Sequence, residues 1–131
     1  MSQWTHVNGC IRIDGIPCIE DVSKKSIRKI LGNTCDFNSS DSEWEACNVP
    51  RGSEGSIQYE LISAGGGLVL WTIPVWGDLR DFGTDDIHII KEWFDKIINK
   101  SDLSIRSAIL EIRIEYGETI VLQYKEEENG K

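Results

Sequence analysis

The chain has 131 residues, 40% of them hydrophobic, which is about the length of one domain and enough apolar surface for a single core. Its 22 Asp and Glu outnumber 14 Lys and Arg, giving a net charge of -8 and a pI near 4.7. Such a field opposes approach to a nucleic-acid backbone or an anionic membrane and favours a basic protein surface. No apolar run approaches the roughly 20 residues needed to span a bilayer, and the opening MSQWTHVNG lacks the basic and apolar segments of a signal peptide. The expectation is a cytoplasmic protein.

From Trp4 to Asp14, Val7, Ile11 and Ile13 alternate with His6, Asn8, Arg12 and Asp14, the period of a strand with one wet face. After Gly15 and Pro17, the residues Ile19, Val22, Ile27, Ile30 and Leu31 predict a helix that stops at Gly32-Asn33. The stretch 33–55 has little periodicity and is rich in Asn, Asp, Ser and Gly, so it reads as a long loop insertion, a feature that tends to be functional. Trp44 stands in its middle beside Asp41, Glu43 and Glu45. An aromatic flanked by acids suits an anchor for a basic partner, and it equally suits a side chain folded back over the domain's own core.

Ser56 to Ser63 alternates again and leads through Ala64 and Gly65-Gly66-Gly67 into Leu68–Trp76, LVLWTIPVW. Nine nearly uninterrupted apolar residues fit a central strand covered on both faces, with a bend after Ile73 because Pro74 donates no ladder hydrogen bond. The loop from Gly77 to Asp86 follows. Ile87, Ile90, Trp93, Phe94, Ile97 and Ile98 then recur at spacings of three and four and predict an amphipathic helix. Ala108, Leu110, Ile112, Ile114 and Tyr116 form one face of a further strand, Gly117-Glu118 turns the chain, and Thr119 to Tyr124 closes the order before the tail KEEENGK.

The predicted fold is therefore a single α+β domain over 1–131, a two-layer sandwich in which an antiparallel sheet of about five strands is backed by two helices. Its order, βαββαββ, is ferredoxin-like with one added strand. With both helices on one face, the other displays Trp4, His6, Asn8, Arg12, Gln58, Glu60, Glu111, Arg113 and Glu115.

Cys10, Cys18, Cys35 and Cys47 are separated by 8, 17 and 12 residues, form no CxxC pair and have no histidines at zinc-ligand spacing. They read as reduced, with Cys10 and Cys18 as small buried hydrophobes and the other two as loop thiols. The densest candidate for chemistry is the loop 77–86, with Asp78, Asp81, Asp85, Asp86 and Arg80. Paired aspartates there could bind a divalent metal, but acids before a helix are also what capping and the helix dipole favour. His88, near the helix start, lacks a nucleophile motif beside it. Gly65, Gly66 and Gly67 offer backbone N–H groups to an anion but lack the lysine and following helix of a phosphate loop.

The opening W-T-H-V-N-G-C-I-R-I-D, Trp4 to Asp14, resembles the start of small uncharacterised proteins encoded by bacterial viruses. That resemblance covers about a tenth of the chain and implies an accessory role, such as inhibiting a host defence protein or sequestering a host signalling molecule. The leading expectation is a non-catalytic interaction protein, with no cofactor or metal, that meets the basic surface of a host protein through Trp44, Asp41, Glu43, Glu45, Asp78, Arg80 and Asp81. The alternative is a protein that captures a nucleotide or similar anion through Arg51, Arg80 and the glycines Gly65, Gly66 and Gly67. A third is a small metal-dependent hydrolase using Asp78, Asp81 and Asp85.

Overall fold

A computed structural model describes residues 3–14, 24–36, 38–63 and 70–124. They form an α+β arrangement of a six-strand antiparallel sheet and three helices. In chain order these are β1 (Trp4–Asp14), α1 (Lys24–Leu31), α2 (Asp41–Ala46), β2 (Gln58–Tyr59), β3 (Ile62–Ser63), β4 (Leu70–Arg80), α3 (Ile87–Asn99), β5 (Ser104–Ile114) and β6 (Thr119–Gln123). Across the sheet the order is β2-β4-β1-β5-β6, with β3 also on β4. No helix among the described residues is long and apolar enough to cross a membrane.

The strand at the centre is β1, between β4 and β5, and not the apolar run around Trp71. The alternation in β1 sends Thr5, Val7, Ile11 and Ile13 inward and leaves His6, Asn8 and Arg12 on the other face. β4 alternates in the same way. Trp71, Ile73, Val75 and Leu79 are buried, whereas Trp76 is 44% exposed, so the described part of the apolar run, Leu70 to Trp76, is covered on one face only. Nor does the strand end at Ile73 or Trp76: it pairs with β1 as far as Arg80, taking in the first residues of the predicted loop.

Pro74 explains a different break. Its carbonyl accepts from Glu60 N at 3.2 Å. In a strand the nitrogen and carbonyl of one residue face the same side, so the missing N–H faces this outer edge and not β1. The predicted strand Ser56–Ser63 accordingly survives only as two short pieces, Gln58–Tyr59 and Ile62–Ser63, on either side of that point.

α3 buries Ile87, Ile90, Trp93, Phe94 and Ile97, as its spacing predicts, and α1 buries Ile27 and Leu31; all join the inward strand residues in one core. The predicted helix segment 19–23, the predicted core residue Cys18 and the glycines Gly65, Gly66 and Gly67 lie outside the described residues. The end of α1 is held tightly. Gly32, at φ +110, bonds back to Arg28 O, and the orphan carbonyls of Leu31 and Gly32 accept from Trp93 Nε1 at 2.8 Å and Tyr59 Oη at 2.6 Å. Tyr116, predicted to continue the inward face of β5, instead sits in the following turn at φ 60 and is 86% exposed. Cys10 is not buried in the core; it is half-buried on the open face, opposite Pro74 and Ile109.

Candidate functional site

The insertion 33–55 is not a structureless loop. At its outer end α2 is started by Ser40, whose hydroxyl accepts from Glu43 N while the Glu43 carboxylate accepts from Ser40 N, a reciprocal capping box. That pattern, Ser-x-x-Glu, is visible in the sequence and was the available signal for this helix. Asp41 and Glu43 lie in the first turn, where the helix dipole favours acids. No residue of α2 is buried.

Trp44 is half-buried on this helix. The Arg51 guanidinium lies over its ring, 4.7 Å from the centroid, and Arg51 Nη1 donates to the Trp44 carbonyl. Arg51 thus both stacks on the tryptophan and caps the helix end. Asp41, Glu43 and Glu45 are exposed, and among the described residues none of them pairs with a cation. Beside this knob runs a shallow groove of about 410 Å³ lined by Asn48, Val49, Pro50, Arg51, Ile89 and Trp93, with Glu92 and Lys96 also on its wall. Ile89 is 39% exposed and falls off the apolar stripe of α3, a signal the helix periodicity already carried.

The base of the knob is a neck of hydrogen bonds. Asn48 N donates to Asn33 O at 3.1 Å, Asn33 N donates to Asn48 Oδ1, and Asn33 Nδ2 donates to Ala46 O. Cys35 is fixed on the core side, its N–H donating to Ser56 Oγ at 3.1 Å and its carbonyl accepting from Ser56 Oγ and Gln58 Nε2.

The returning segment 50–56 then lies against the end of β4. Ser53 N donates to Arg80 O and Arg80 N to Glu54 O, an approach so close that a Cβ on Gly52 or Gly55 would run into the carbonyls of Arg80 and Asp78. Backbone contact therefore accounts for the glycines of PRGSEGS. Arg51 and Arg80, paired in the anion-capture expectation, have separate engagements: Arg51 on Trp44 and Arg80 on the Glu54 carboxylate at 2.9 Å.

The acids of 77–86 also diverge. Asp81, at φ 54, accepts from Ser53 Oγ at 2.6 Å; Asp86 accepts from Gly83 N at 3.1 Å; Asp85 is exposed and offers its carbonyl to His88 Nδ1. Among the described residues no three His, Cys, Asp or Glu side chains are gathered to hold a metal ion. Segment 50–56 thus links Trp44 to Arg80 and Asp81, while Asp78 turns to the open sheet face.

There Asp78 meets a partner that the sequence did not reveal. His6 Nδ1 is 2.6 Å from Asp78 Oδ1 and His6 Nε2 is 2.8 Å from Glu115 Oε2. The hydrogen bond to Asp78, then that to Glu115, raises the imidazole pKa above its ordinary value, against a smaller opposing effect of burial. Asp78 and Glu115 lie 72 and 109 residues from His6, and only the register of β1 on β4 and β5 brings them together. Comparison of the chain with models of known families, with curated proteins and with solved structures finds no match.

Proposed function

We propose that this chain is an interaction protein without catalytic activity, which meets a basic surface on a partner protein with the knob formed by α2. One observation carries the reading: a helix that buries nothing is nevertheless built with a capping box, a stacked arginine and a hydrogen-bonded neck, and it presents Trp44 among three carboxylates that pair with no cation among the described residues. Tryptophan anchors dominate many interfaces, while rim charges steer association. The groove beside it, floored in part by Ile89 and Trp93, offers the apolar contact that an acidic rim lacks.

The same reading takes the chain to act in the cytoplasm, as an accessory protein of the kind the opening stretch resembles, with a host defence protein as the target. We further infer a two-layer, ferredoxin-like arrangement with one added strand. Its support is the order β5-β1-β4-β2 and the core shared by α1 and α3.

The test is capture of partners from host lysate on the wild-type protein and on a Glu43→Lys/Glu45→Lys variant, followed by association kinetics of any common partner at two salt concentrations. We expect the variant to associate more slowly, most of all at low salt. Equal rates at both salts would remove the acidic knob from recognition.

A further inference from the structure

We propose that Cys35 and Cys47 are a disulfide-forming site that locks the α2 knob to the core. The two segments that carry them are already aligned: Asn33 and Asn48 bond to each other across the neck, Ser56 and Gln58 fix the backbone of Cys35, and Cys47 closes α2 by donating its N–H to Trp44 O at 3.2 Å. The sulfurs stand 2.7 Å apart as free thiols. Little backbone movement separates that contact from the bond, which a disulfide needs because its geometry is narrow. Cys10 lies apart on the open sheet face. The inference does not depend on what α2 binds.

The co-reactant is a small disulfide of the glutathione class. Cys47, the more accessible of the pair, attacks one sulfur of that disulfide as a thiolate; the S–S bond breaks, Cys47 enters a mixed disulfide and one small thiolate leaves. Cys35 then gives its proton to solvent and attacks the Cys47 sulfur, forming the Cys35–Cys47 bond and releasing the second small thiolate. The protein loses two electrons and the reagent becomes two thiols. Burial, and then the contact with Cys47, pushes the Cys35 thiol up to about 11, with Ser56 and Arg51 pulling the other way. Closure runs through the Cys35 thiolate and should therefore quicken as pH rises.

The experiment uses the reduced full chain, treated with oxidised glutathione at mildly alkaline pH, alkylated, and digested with trypsin without reduction. Both cysteines fall in one tryptic peptide, 30–51, bounded by Lys29 and Arg51. We expect that peptide two hydrogens lighter and unalkylated, with Cys10 alkylated, and a second cut after Glu43 or Glu45 should leave its two halves joined. In Cys35→Ser, glutathione should remain on Cys47 because nothing displaces it. A wild-type product that keeps glutathione on Cys47, a crosslink through Cys10 or Cys18, or full alkylation of both thiols would each overturn the site.

Discussion

Helices α3 and α2 are both well formed, for opposite reasons. α3 has five buried residues at helical spacing and is held by the sheet beneath it, whereas α2 buries none and is held by side chains at its own ends. Tertiary packing supplies most of the stability of helices in proteins, so a six-residue helix without it needs every local device. The difference separates what the fold depends on from what the fold presents. Altering a docked helix should therefore cost the core, whereas altering a capped knob should have a local effect.

The sharpest way to break this comparison is at Phe94. Phe94→Ala removes a ring that is 3% exposed, and we expect a loss of roughly 3–5 kcal/mol in chemical denaturation. An unchanged midpoint would take α3 out of the core. A smaller effect is expected at the other helix. Ser40→Ala deletes the capping box and should cost about 1 kcal/mol, confined to α2. Hydrogen exchange reads this directly: the Trp44 and Cys47 amides, which bond to Ser40 O and Trp44 O, should lose protection while amides of β1 keep theirs. Loss of protection in β1 as well would mean that the knob and the core open together.

The smallest effect belongs to the open sheet face, which resembles α2 in exposure but is held by β1, β4 and β5. The folded-state pKa of His6 is raised, so its ion pairs add stability that is fully present below the unfolded value near 6.5 and is lost as pH rises through the folded one. With the imidazole side chain 42% exposed, the contribution should stay below about 1 kcal/mol. Thermal unfolding of His6→Gln should show a larger deficit at acidic than at alkaline pH. An equal deficit at both would assign the residue a packing role alone.

Much of the core was legible because its signals are local. The spacing of Ile90, Trp93, Phe94 and Ile97 defines α3 without reference to any neighbour, and the alternation in Trp4–Asp14 defines β1. Strand neighbours were harder to read: the most apolar run suggested a central strand, yet β4 has one open face and β1 takes the middle place. α2 has no buried residue and so no apolar periodicity; its sequence signal is the cap Ser40-x-x-Glu43 alone. Within the candidate site, Trp44 and its acids were visible as a composition, but Arg51 on its ring, the Cys35–Cys47 contact and the His6 bridge all depend on chain pairings that a linear reading does not contain.

The central claim is that Trp44 serves recognition and not the fold. The direct measurement is the affinity of Trp44→Ala for a captured partner, taken on the same preparation as its thermal unfolding curve. Loss of a hot-spot tryptophan, at least about 2 kcal/mol, corresponds to binding weakened roughly thirtyfold or more, with the unfolding midpoint close to that of the wild type. Normal binding by Trp44→Ala, or unfolding before binding can be measured, would contradict the claim and leave the insertion as part of the domain's own structure.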